Sequence, residues 1–365
     1  MEEHFVNQPM MTMIGNKRKL VNNIYNIVLD LKKTLNVDKL TILDAFAGSS
    51  VVSRSLSSLC ENIYANDLEM YSYKMSKCFL EKPNEETIKK IKNHIDKMND
   101  IALNGPYYEG IISKLYSPKN DNDIQEGERV FYTHQNAVII DTLRKYIEDF
   151  VEVELFDYCI TPLIIKASIH NNTSGVFKGF HKKNKKGCFG GAGENALSRI
   201  LKPIFLEMPV WSVHTFNSFC FNKDINDLIH ELPNNIDIIY LDPPYNQHPY
   251  GSNYFMMNLI ITNIEPEKLS KVSGIPQNWN KSNYNYKKTA FINIKNLIDI
   301  GLQKSKYIII SYNNEGIITN EDFEKIFKNY NVIKHEIKYD TYKGCKNLKN
   351  RDNKVVEIIY VISLL

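Results

Sequence analysis

Leu40-Thr-Ile-Leu-Asp44-Ala-Phe-Ala-Gly48-Ser-Ser50 is followed by residues 51–59, rich in apolar side chains, and then by Asn62-Ile-Tyr-Ala-Asn-Asp67. Residues 40–46 form a short, mostly apolar run that carries an acid at Asp44 and read as a buried strand. The small residues 47–50 then read as a tight turn, residues 51–59 as a helix, and residues 62–67 as a second strand with an acid at its end. Strand, small-residue turn, helix, strand is the local grammar of a parallel nucleotide-binding sheet. At such a turn, backbone N–H groups and a helix N-terminus face a polar ligand, and Gly48 permits close approach. Asp67 stands where ribose hydroxyls are bound in such folds, although a lone acid there also serves as a helix N-cap.

Outward from this unit, Leu20, Ile24, Ile27, Val28 and Leu31 recur at helical spacing, predicting a helix entered through Gly15-Asn16-Lys17-Arg18-Lys19. Further strands are expected near residues 213–216, weakly, and at Ile236–Leu241 and residues 307–312. Two extended segments, 332–339 and 355–362, flank the basic, polar residues 343–354. They predict a terminal hairpin, and so a mixed sheet with an antiparallel edge. Between residues 71 and 210 the alternation breaks down into helical patterns, such as residues 137–150, among polar loops. The expected division is therefore residues 1–70 and 211–365 as one domain, with 71–210 inserted. The insert carries Lys178-Gly-Phe-His-Lys-Lys-Asn-Lys-Lys-Gly187. Lys182, Lys183, Lys185 and Lys186, with interleaved aromatics, suit a clamp on phosphates, and a solvated basic loop is the alternative.

With 365 residues, 43% of them hydrophobic, the chain can bury a large core, and a net charge of +3 permits a nucleic-acid partner without arguing for one. Its six cysteines form no Cys-x-x-Cys pair, so neither a disulfide framework nor a metal site is indicated. The N-terminus has no basic and apolar leader, and no apolar run approaches membrane-spanning length, so a cytoplasmic location is expected.

The most specific motif is Asp242-Pro243-Pro244-Tyr245, delivered by the apolar run before it. An exocyclic amine on a nucleobase is a poor nucleophile because its lone pair is delocalised into the ring. The Asp242 carboxylate and the Pro243 carbonyl are two acceptors that can bind both N–H groups of such an amine. Pro243 and Pro244 lack backbone donors, and Tyr245 offers a face on which a base taken out of its duplex can stack. The alternative is an ordinary proline turn. Asp224, beyond the weak third strand, could bind an adenine amino group, its alternative being a surface acid.

Together these residues resemble the adenine-specific DNA methyltransferases that use S-adenosylmethionine, of the class with the cofactor motif before the recognition region and the catalytic motif after it. The resemblance covers nearly the whole chain. It implies a mostly parallel, Rossmann-like α/β methyltransferase sheet with an antiparallel C-terminal hairpin and an inserted target-recognition module. It also implies that Asn16, Lys17 and Lys19 help bind the methionine end of the cofactor, that Asp44, Phe46, Ala47, Gly48 and Ser49 form the cofactor loop, that Asp67 binds the ribose, and that Asp242 to Tyr245 are catalytic. Asp224 matches more loosely. Tyr250-Gly-Ser-Asn253-Tyr254 and residues 310–316 look like the later motifs that line the base pocket. Ser50 departs from the pattern, since many relatives carry a second glycine there.

The implied partners are double-stranded DNA and a cognate restriction endonuclease, with no membrane. Methylation of cytosine N4 or an RNA base, and a non-catalytic DNA-binding subunit, are the alternatives. Intact motifs argue against the last. Tyr107, Tyr108, Lys114, Arg129, Tyr132, His170, Asn171 and Asn172 are candidates for reading DNA, each with a structural reading beside it.

Overall fold

The computed structural model describes residues 2–340, apart from 9, 10 and 12, together with residues 354–365. Cys345 and most of the basic residues 343–354 lie outside the described residues. Seven strands form one sheet: β1 (Leu40–Asp44), β2 (Cys60–Asn66), β3 (Asn217–Phe221), β4 (Ile236–Leu241), β5 (Ser305–Asn313), β6 (Tyr330–Asp340) and β7 (Lys354–Leu364). Their order is β3-β2-β1-β4-β5-β7-β6, with β3 to β5 across the centre parallel and β7 antiparallel to both neighbours. The sheet is therefore mostly parallel with a terminal antiparallel hairpin, the Rossmann-like α/β arrangement expected from the sequence.

Strict alternation within the strands splits the core into two layers. Leu43, Ile239, Leu241, Ile308, Ile310, Ile358 and Ile362 face the helices Ile225–Glu231, Lys287–Lys304 and Asn320–Phe327. Ile42, Ile238, Tyr240, Ile309, Ile359 and Val361 face the helices Val21–Leu35 and Val51–Leu56. Strand order reverses at β1, which lies between β2 and β4. In an open α/β sheet the crevice beyond the carboxyl ends of such strands is where ligands bind.

One expected strand is displaced. β3 begins at Asn217, not near 213, because Val213 is left exposed while Phe219 and Phe221 stack on Tyr64 of β2, at 4.7 and 6.4 Å between ring centroids. The Cβ-branched residue thus found no partner face, and the ladder formed where the aromatics did.

Residues 71–210 are mainly helical, with helices such as Glu85–Asn104, His134–Phe150 and Phe156–Ile169. Their apolar core includes Tyr71, Met75 and Phe79 of the helix Met70–Leu80. It continues without a break into Met256, Met257 and Ile260 of the helix Phe255–Thr262, and into Phe5 near the N-terminus. Among the described residues, no helix is long and apolar enough to cross a membrane.

Candidate active site

Parallel pairing of β1 with β4 sets Asp44 opposite Tyr240. Asp242 therefore lies one pleat beyond Asp44, on the same side of the sheet, so two acids separated by 198 positions in sequence reach one crevice. That crevice encloses about 940 Å³ of space open to solvent, and Asp44, Phe46, Ala47, Gly48, Ser49, Asp67, Asp224, Asp242 and Pro244 all line it.

The turn after β1 is tied to β2. Ala47 N–H donates to the Asn66 carbonyl at 2.8 Å, and Gly48 N–H donates to Asp67 Oδ2 at 2.8 Å. Gly48 has φ +53°, and Ser50, at φ +60°, is also left-handed. This is why glycine suits position 50. Here the serine is held by its own side chain, whose hydroxyl lies 2.6 Å from that of Ser76.

Asp44 occupies the floor. Its Oδ2 accepts from the Ser53 hydroxyl at 2.6 Å, whereas its Oδ1 is buried with no hydrogen-bond partner among the described residues. Burial pushes its carboxyl up to about 7, with Asp242 and Asp67 adding repulsion. An orphaned, desolvated acceptor is costly unless a donor arrives, and an ammonium group fits this one. Asp67 accepts from Gly48 and Glu69 N–H groups and is pushed up by burial to about 6. Glu69, also raised by burial to about 7, accepts from the Asn258 side chain at 2.8 Å.

At the mouth of β4, Lys17 Nζ lies 2.9 Å from Asp242 Oδ1 and 2.8 Å from Glu357 Oε1. Burial opposes the Lys17 charge, but the two carboxylates outweigh it and hold the ammonium well above its ordinary pKa. Asp242 is raised to about 6, mainly by burial, with Lys17 pulling the other way. Tyr245 turns its ring toward Lys17, 5.6 Å from Nζ, and against Tyr312, while its carbonyl accepts from Ile317 N–H. Gly15, at φ +77°, gives this ring room: a Cβ there would sit 2.7 Å from Tyr245 Oη. Tyr250 donates to the Ile14 carbonyl and Tyr254 accepts from Ile14 N–H, each at 2.7 Å, so the N-terminal segment is strapped to the residues following the tetrapeptide.

Other expected site residues sit farther back. Asn16 lines the crevice but Lys19 is exposed outside that lining. Asn253 and Tyr254 are buried in the scaffold, Asn253 accepting the Phe177 N–H through its carbonyl. Asp224 caps the helix Ile225–Glu231 and also faces the crevice, so its two readings are compatible.

Lys182, Lys183, Lys185 and Lys186 are exposed on a tight antiparallel hairpin, whose turn residues Asn184 and Lys185 both have positive φ. Asn172 anchors its base by donating to the Val130 and Cys188 carbonyls, and His170 meets the Arg199 carbonyl. Asn171, Asn172, His170 and Tyr132 are thus buried supports, while Tyr107, Tyr108 and Lys114 remain at the surface. Arg129 contacts Gly274 and donates to the Leu115 carbonyl.

Sequence reasoning missed several lining residues. Glu69 is two positions from Asp67 and could have been read with it. Asn280, Ser282 and Tyr284 come from a long segment without periodicity, and Tyr284 reaches the crevice by packing edge-on against Phe46, at 5.1 Å. Glu357 is a further omission: it lies outside the crevice lining but meets Lys17, and in sequence it is only an acid inside an apolar strand.

Residues 13–341 match the family model described as D12 class N6 adenine-specific DNA methyltransferase. The chain is similar to the Type II methyltransferase M.NlaIII of Neisseria lactamica, 26% identical over 361 residues that cover 96% of this chain and 99% of the relative. It is also similar to the Type II methyltransferase M.CviAII of Paramecium bursaria Chlorella virus 1, 28% identical over 331 residues and covering 87% of each. Modification methylase StsI of Streptococcus sanguinis is 28% identical over 374 residues, 96% of this chain and 52% of that protein.

Proposed function

Since the chain belongs to the D12 class of N6 adenine-specific DNA methyltransferases, we propose that it methylates the N6 amino group of an adenine flipped out of duplex DNA, with S-adenosylmethionine as donor. The observation that supports this most is the convergence of Asp44 and Asp242 on one crevice at the β1/β4 switch point. When bound, the cofactor supplies a methyl group already activated on a sulfonium, so the protein's task is positioning and charge placement.

In this reading Asp44 receives the cofactor ammonium, Phe46 to Ser49 and Asp67 hold its nucleoside, Asp224 lies at its base, and Asn16, Lys17 and Lys19 belong to the segment beside its methionine end. Asp242 and the Pro243 carbonyl accept the two N–H groups of the target amine, which draws its lone pair out of conjugation. Pro244 keeps the loop free of competing donors, and Tyr245 offers a stacking face. Tyr250, with Asn253 and Tyr254 behind it, shapes the base pocket. Residues 71–210 serve as the target-recognition region and residues 1–70 and 211–365 as the catalytic domain. A cognate restriction endonuclease is the biological partner in this reading. Digestion of enzyme-treated DNA to nucleosides, followed by mass spectrometry, should reveal N6-methyldeoxyadenosine; N4-methyldeoxycytidine, or no methylated nucleoside, would refute the proposal.

Two expected results follow from particular residues. An ammonium is best held by ionised Asp44, which the site raises to about 7. Binding of S-adenosylhomocysteine, followed by calorimetry, should therefore weaken about tenfold for each pH unit below that value, and Asp44→Asn should flatten the dependence. A flat profile in the unaltered protein would count against this role. Second, if the four hairpin lysines contact phosphates, replacing all of them by alanine should reduce the slope of log affinity against log salt by up to about 3.6, at about 0.9 per contact. An unchanged slope would show that they do not.

A further inference from the structure

Resting on the reading of Asp242 as the amine acceptor, we propose that Glu357 is a positioning residue for methyl transfer. It tethers the Lys17 ammonium on the Oδ1 side of Asp242 and so leaves Oδ2 as the oxygen that meets the target amine. Glu357 lies on β7 and is 1% exposed. Its Oε1 accepts from Lys17 Nζ at 2.8 Å and from the Ser311 hydroxyl at 2.7 Å. Ser311 sits on neighbouring β5, opposite Ile359 and hence diagonal to Glu357 on the same face. Lys17, itself 3% exposed, is thus gripped between strand-borne Glu357 and loop-borne Asp242.

Glu357 constrains where the shared cation sits, because it holds Lys17 from a strand whose backbone is fixed by the sheet. Without it, Lys17 is free to move across the face of Asp242 and compete with the amine for the same carboxylate. Among the described residues, Lys17 at Oδ1 is the hydrogen-bonding partner of the Asp242 side chain, which retains 18% exposure toward the crevice. The charged and titratable groups facing this pair include Glu357 from β7, Tyr240 from β4, Tyr245 from the loop, Tyr250 from the residues after it, and Asp44 and Asp67 from the ends of β1 and β2.

The test is Glu357→Gln, which keeps shape and an acceptor for Ser311 but removes the charge. Methyl transfer to a cognate duplex should fall in kcat about tenfold, the size of one charge-assisted hydrogen bond. KM for DNA and the calorimetric Kd for S-adenosylhomocysteine should stay within about twofold, as expected for an interaction made in the transition state. Because the Glu357 charge raises the proton affinity of Asp242, its removal should move the acid limb of the kcat profile to lower pH. Glu357→Asp, which restores the charge, should recover part of kcat and return the limb toward its original position.

A Glu357→Gln enzyme with unchanged kcat and an unchanged acid limb would overturn the proposal. So would a loss of kcat matched by an equal loss of S-adenosylhomocysteine affinity and of thermal stability, the mark of a merely structural ion pair. An unaltered protein that methylates no adenine would instead remove the reading on which the proposal rests.

Discussion

Asp242→Ala is expected to lower the rate of adenine methylation by about 10²–10³-fold, the cost of removing one preorganised group that acts on developing charge. The effect arises in the transition state. As N6 attacks, the amine gains positive charge and its N–H groups become stronger donors, so an ionised carboxylate stabilises that state more than the neutral ground state. Binding of S-adenosylhomocysteine should change little, because the floor of the crevice is made by Asp44 and the turn from Phe46 to Ser49. Lys17 retains Glu357 as a partner in this variant, so the alanine does not strand a buried cation. Single-turnover methyl transfer together with calorimetry separates the two effects. Activity within tenfold of the unaltered protein would remove Asp242 from the chemistry.

Lys17→Met should have the largest effect on stability, about 3–5 kcal/mol at neutral pH, because it withdraws the cation from buried Glu357 and half-buried Asp242. The loss should depend on pH. Asp242 is already raised by burial to about 6 while Lys17 pulls it down, so losing the ammonium raises it further. A carboxyl whose pKa is higher folded than unfolded binds more protons in the folded state between those two values. Stability therefore declines as pH climbs from about 4 through 6 and beyond. Protonation at low pH relieves the repulsion between Asp242 and Glu357. The contribution of Lys17 itself, with its raised pKa, is present throughout this window and would be lost only in strong alkali. Denaturant midpoints of the two proteins should thus lie close at pH 5 and diverge toward pH 8. A gap that stays constant would mean that the three charges do not interact as their distances imply.

Several site features were legible in sequence because the chemistry is local to a few consecutive residues. Asp44 to Ser49 and Asp242 to Tyr245 each combine a strand end with a turn, and a strand end in a parallel sheet necessarily faces the crevice. The terminal hairpin was legible for a similar reason, since β-rich runs flanking a polar stretch pair with one another. β3 was misplaced because its position depends on where Tyr64 offers a stacking surface. Lys19 and Lys17 look alike in sequence, yet one is exposed and the other buried. The difference is set by the turn before the helix Val21–Leu35, which aims only Lys17 at the sheet.

By itself, then, the sequence determined the α/β class, the antiparallel C-terminal edge and the strand-end acids Asp44 and Asp242 with the turns that follow them, because each follows from periodicity or from the fixed chemistry of adjacent residues. Tertiary structure alone decided that Glu357 meets Lys17, that Tyr284 and Asn280 wall the crevice, and that the helices of 71–210 share a core with Phe255–Thr262. The reason is physical: Glu357 acts through a cation 340 positions away, and only the β5/β7 pairing brings an acid from an otherwise apolar strand to that charge.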